Sequence, residues 1–140
     1  MEQAGLEARL VGDDDALWER QRAGQRSPDG TVVRVSGLAT ELPKVVRSAD
    51  EVGASLAGRA GLGLSWLAIA GGEGGEAASA IEELRRRLHP FPCVVLDAPH
   101  AVREKVDVWG EAHAVSLMQR VKDRFDPHGV CNPGIFVGGI

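Results

Sequence analysis

The apolar residues of this chain come in short bursts, and the spacing within a burst switches between the period of a strand and that of a helix. Such switching restricts the chain to folds that layer helices on a sheet. Leu6, Ala8 and Leu10 alternate with polar neighbours and predict a first strand. Asp13, Asp14 and Asp15 put negative charge where a helix start favours it. A helix over residues 16–23 follows, carrying Leu17 and Trp18 and stopped by Gly24. Ser27-Pro28-Asp29-Gly30 has turn chemistry, and Thr31–Ser36 is β-branched enough for a strand.

Thr40 is a candidate cap for the next helix, with Pro43 in its first turn. Leu42, Val45, Val46, Ala49, Val52 and Leu56 follow helical spacing along one face. Residues 64–70 are almost continuously apolar and predict a buried strand. Ala77, Ile81, Leu84 and Leu88 form the stripe of a third helix, stopped by His89-Pro90. Residues 93–96 make a further strand ending at Asp97, and residues 101–109 fit either a short helix or an edge strand. A last helix over residues 114–125 has Ala114, Leu117, Met118, Val121 and Phe125 on its apolar face. The order is then roughly β-α-β-α-β-α-β-α, without repeat or linker. It fits a parallel βαβ sheet or an α+β sandwich, and periodicity alone does not choose.

At 140 residues the chain makes one domain able to bury about 70% of its unfolded surface. A net charge of −4 argues against nucleic acid or an anionic membrane as partner. The basic run Arg85-Arg86-Arg87 is offset by Glu82 and Glu83 and reads as a solvated helix face. No apolar run approaches the roughly 20 residues of a membrane span. Met1 leads into a charged stretch, not an apolar signal core, and Cys93 and Cys131 lie far apart. These features imply a cytoplasmic protein with two reduced thiols.

Groups able to carry chemistry are few. Gly72-Glu73-Gly74-Gly75-Glu76-Ala77 matches G-x-G-x-x-A between a strand and a helix, and Asp97 ends the next strand. A minimal dinucleotide-binding domain is one reading, but Glu73 and Glu76 would repel a pyrophosphate, and a plain loop explains the glycines. Glu111, His113, His128 and Cys131 are acceptable zinc ligands by type, yet their spacing matches no ligand pattern, so turn and surface roles are the simpler expectation. None of the four histidines has a neighbouring Ser or Cys suggestive of a triad, and Cys93 reads as a small core residue.

The end of the chain is more specific. Asp126-Pro127-His128-Gly129 has the residue preferences of a type I turn, and Asn132-Pro133-Gly134 those of a type II turn. An apolar Ile135-Phe136-Val137 follows, which must pack on this domain or on another to avoid exposing a sticky patch.

FDPHGVCNPG resembles the C-terminal F/L-D-P-x-G-x-x-N-P-G signature of FAD-linked oxidases of the vanillyl-alcohol-oxidase type. LMQRVKDRFDPHGVCNPGIFVGGI is similar, more narrowly, to the end of the FAD-binding E subunit of bacterial glycolate oxidases. The resemblance extends upstream through ALWERQR, TVVRVSG, GLSWLAIAGG and FPCVVLDAP. It implies an α+β, ferredoxin-like sandwich whose antiparallel or mixed sheet has about four strands with helices on one face. Residues 1–140 would then be the C-terminal cap domain, in partial form, with the N-terminal flavin-binding domain absent and the sequence beginning inside the cap. Asn132, Pro133 and Gly134 would lie close to an FAD held by that other domain.

The implied parent reaction oxidises a 2-hydroxy acid to a 2-oxo acid. Its implied partners are the flavin-binding domain and sister flavin and iron–sulfur subunits. The position after NPG, often basic in the family, is Ile135 here. Glu111-Ala112-His113 only superficially echoes the Glu-His-Gly motif of the catalytic sister subunits, so no catalytic residue is carried over. The alternative is a non-catalytic ferredoxin-like interaction or sensor module.

Overall fold

The computed structural model describes residues 10, 12–70 and 74–140. The predicted strand around Leu6 and Ala8 lies outside them. Helix α1 (Asp15–Ala23) comes first, then β1 (Thr31–Ser36), α2 (Leu42–Glu51), β2 (Ser55–Arg59), β3 (Leu64–Ile69), α3 (Gly74–Leu88) and β4 (Cys93–Asp97). A short α4 (His100–Arg103) and the longer α5 (Val115–Phe125) complete the order.

The four strands form one antiparallel sheet in the order β2-β3-β1-β4. From β1 to β4 the elements run β-α-β-β-α-β, so this is the ferredoxin-like α+β arrangement. The parallel alternative left open by periodicity is not adopted. Each βα unit crosses over to a strand that skips one position, so antiparallel neighbours interleave.

Side-chain alternation sorts the sheet into two faces. Val33 and Val35 of β1, Leu67 and Ile69 of β3, and Cys93 and Val95 of β4 point into the core against α2 and α3. Ile81, Leu84 and Leu88 of α3 are completely buried there, each contributing roughly 1.5–3 kcal/mol of apolar burial. The stripe predicted for this helix is therefore the core stripe. Arg34, Trp66 and Val94 share the opposite face, where they stand in register across β3, β1 and β4. That face is covered in part by α1, whose terminal Gly24 sits so near Ala57 that a Cβ would approach it to 2.8 Å.

Two predicted elements are corrected. The α2 stripe stops before Leu56, because Gly53 takes φ +65° and ends the helix. Gly53 N–H donates to Asp50 O at 3.1 Å and Ala54 N–H to Ala49 O at 2.9 Å, the paired bonds of a Schellman ending. Leu56 instead belongs to β2, paired with Leu67. Thr40 falls in a short 3-10 turn over Ala39–Glu41 and caps nothing; Glu41 precedes α2 without a side-chain cap bond. The ambiguous 101–109 stretch divides into the end of α4 and a loop that reaches β4, where Val95 N–H donates to Val108 O at 2.8 Å.

Candidate functional site

The segment from α5 to the chain end is the candidate site, and it is built by one carboxylate. Asp126 follows the last turn of α5, and Lys122, four residues earlier, lies 2.6 Å from its Oδ2. Oδ1 accepts the Val130 N–H and Oδ2 the Cys131 N–H, both at 2.9 Å. Lys122 donates also to the Cys131 carbonyl. The lysine hydrogen bond, then the two backbone donors, pull the Asp126 pKa down to about 2.

Both expected turns are present, the first inside this staple and the second just after it. Gly129 N–H donates to Asp126 O at 3.0 Å and closes the first turn. Ile135 N–H donates to Asn132 O at 3.4 Å across Pro133, with Gly134 at φ +76°, as a type II turn requires. Asn132 itself stands at φ +46°, a left-handed conformation that asparagine tolerates better than most residues. The turn is exposed, and a Cβ on Gly134 would meet nothing within 4 Å among the described residues.

Beyond the turns the tail folds back on the domain. Phe136 N–H donates to Ile140 O at 3.1 Å, and Val137 and Ile140 are only 6% and 8% exposed. Trp109 holds this piece from the side. Its indole N–H donates to Ile135 O at 3.2 Å, and its ring meets Phe136 edge-on, with centroids 4.9 Å apart. Val94, Trp109, Met118, Phe136 and Val137 line a cavity of about 280 Å³ against the second sheet face.

The apolar face of α5 has the opposite fate. Leu117, Val121 and Phe125 of its predicted stripe are exposed, Phe125 at 83%. Of the stripe, Met118 lines the cavity shared with Phe136, Val137 and Val94, while the other large residues face solvent. With Phe136 and Ile140 the stripe lines an open apolar groove of about 580 Å³, edged by Lys122, Asp126 and Cys131. Val130 and Ile135 are exposed beside it in sequence.

The other sequence candidates are placed elsewhere. Gly72 and Glu73 lie outside the described residues. Gly74 opens α3 where a Cβ would come within 2.9 Å of Ala101 O, so close packing against α4 explains that glycine. Asp97 binds Arg26 through two bonds of 2.7 and 2.9 Å and accepts the Ser27 N–H, which holds its carboxyl below the usual range. Among the described residues no three His, Cys, Asp or Glu side chains gather as a metal-holding group, and Glu111, His113, His128 and Cys131 form none.

Cys93 is buried and its thiol is pushed up to about 11, an inert core position. A polar cleft of about 620 Å³ between α3 and the 105–111 loop contains Arg85, but that guanidinium is committed to Glu82 and to the carbonyls of Cys93 and Asp107. Sequence reasoning does not find Lys122 and Trp109 as parts of the site. Lys122 is legible from its i,i+4 spacing to Asp126; Trp109 meets the tail only through the fold.

Fold and site together define a ferredoxin-like α+β module with a stapled C-terminal extension. Comparison with family models, with curated proteins and with solved structures finds no match. No described helix is long and apolar enough to cross a membrane.

Proposed function

We propose that this chain is the cap domain of an FAD-linked oxidase of the vanillyl-alcohol-oxidase type, similar to the E subunit of glycolate oxidases. The observation that carries the reading is the stapled 126–135 segment. The residues that make the family resemblance are the same ones that shape this backbone. Asp126 binds two backbone donors, Gly129 and Gly134 take positive φ, and Pro133 sets the second turn. The exposed α5 groove beside it suits an apolar neighbour such as a flavin-binding domain.

Asn132, Pro133 and Gly134 offer an exposed turn, not an enclosed pocket, which fits contact with a flavin held by another domain. Bound FAD would accept the hydride when a 2-hydroxy acid becomes a 2-oxo acid. This chain's own residues would cover the ring and exclude water. Sister flavin and iron–sulfur subunits and a cytoplasmic location belong to the same proposal.

Two measurements test it. FAD titrated into the chain alone should give no tight binding, whereas the flavin-binding fragment of a glycolate-oxidase E-type subunit should co-elute with it. Val121→Glu with Phe125→Glu should abolish co-elution. Tight stoichiometric FAD binding by the chain alone, or no complex with the fragment, overturns the proposal. The second reading, a non-catalytic interaction module, is favoured by the βαββαβ unit of β1 to β4. It predicts that the chain binds a protein partner through a surface that the paired glutamates do not alter.

A further inference from the structure

The three arginines of the 85–87 run do not share one solvated face. Arg86 pairs with Glu83, and Arg87 with Glu83 and with Glu51 of α2. Arg85 instead reaches β4, and its side chain is only 16% exposed. Its guanidinium donates from Nε and Nη2 to Cys93 O at 3.4 and 3.3 Å, and from Nη2 to Asp107 O at 2.5 Å. Glu82 accepts from Nη1 at 3.1 Å. A planar fork of fixed donors can bridge a strand and a loop in this way, whereas a point charge on a flexible stem would not hold both carbonyls in one geometry.

The loop is moulded on that guanidinium. Gly110 takes φ +70°, and a Cβ there would come within 2.9 Å of Arg85 Nε, so a side chain would push the guanidinium off its bonds. Between these two contacts lie the groups that reach the tail. Val108 O accepts the Val95 N–H at 2.8 Å, and Asp107 Oδ1 accepts the Trp109 N–H at 3.0 Å. Asp107 joins the two halves: Arg85 grips its carbonyl, and its carboxylate holds the backbone of Trp109. From there the indole N–H reaches Ile135 O at 3.2 Å, and the ring meets Phe136. Three consecutive hydrogen bonds therefore run from α3 to the residue that follows the Asn132-Pro133-Gly134 turn.

The geometry points to Arg85 as the positioning residue of the chain end. It fixes the 105–110 loop, the loop presents Trp109, and Trp109 holds Ile135 and Phe136 so that the turn before them keeps its place. Naming that turn a flavin contact rests on the cap-domain reading; its positioning through Arg85 does not.

Hydrogen exchange of the 140-residue chain, followed by NMR without flavin or partner, tests this. Arg85→Met keeps an apolar stem and removes every donor. The Trp109 indole and the Phe136 amide, which donates to Ile140 O, should then accelerate about tenfold beyond any rise in the β1 amides. A loss of global stability raises the β1 amides at least as much as the tail, so the excess separates positioning from support of the fold. Arg86→Met, which removes the Glu83 pair, should give no excess. Asp107→Ala, at an exposed residue whose carbonyl stays in place, cuts the middle bond and should reproduce the excess; it carries the test alone if Arg85→Met does not fold. A tail that accelerates no more than β1 in Asp107→Ala, or in a folded Arg85→Met, overturns the inference. Because flavin is absent from the measurement, failure of the flavin-domain co-elution leaves the result standing.

Discussion

The native bonds of Asp126 favour its ionised form, and its contribution to stability follows from that sign. Its folded pKa of about 2 lies below the value of about 3.9 for an unfolded aspartate. The stabilisation is therefore full above about pH 4 and is lost as pH falls toward 2. NMR amide signals of Val130 and Cys131 should lose dispersion across that window, and in Asp126→Asn they should be altered already at neutral pH. The glycines give a second prediction. Gly53 and Gly63 share nearly the same φ, +65° and +64°. A Cβ on Gly53 meets nothing within 4 Å among the described residues, whereas one on Gly63 would fall 2.0 Å from Gly37 O. Urea titration should show Gly53→Ala costing about 1 kcal/mol and Gly63→Ala distinctly more, through backbone strain plus collision. The turn residues at 126–134 were legible because Asp, Asn, Pro and Gly announce their conformations locally. The collision at Gly63 was not, since Gly37 is distant in sequence.

Among elements, α3 and α5 carry similar apolar stripes but lie in different surroundings. Ile81 is fully buried, so Ile81→Ala should cost about 2–5 kcal/mol by calorimetry or urea titration. Phe125→Ser, on the exposed face of α5, should stay within about 0.5 kcal/mol of the parent chain. Periodicity identified both helices and could not rank their burial, because what covers a stripe is decided by tertiary packing. The same limit explains β2. Leu56 continues the α2 spacing by coincidence, and SLAGR lacks the β-branched residues that made β1 readable. Gly53 was the available signal: a glycine just past a helical run marks its end.

For the whole molecule, the α+β class and the four-stranded sheet agree with what the resemblance implied. The strand order was not legible, because antiparallel interleaving depends on pairings far apart in sequence. The candidate site was legible as backbone geometry, while its division into a packed tip and an outward groove appeared only in three dimensions. The packed tip carries its own optical reporter. Trp109 is fixed by its bond to Ile135 O and by the edge of Phe136, while Trp18 is half exposed and Trp66 is buried in the sheet. With Trp18 replaced by phenylalanine, release of the tail should move the emission maximum to the red and lower the anisotropy of Trp109 while Trp66 stays unchanged. A partner binding the 126–140 segment would thus be read from intrinsic fluorescence, with no label attached.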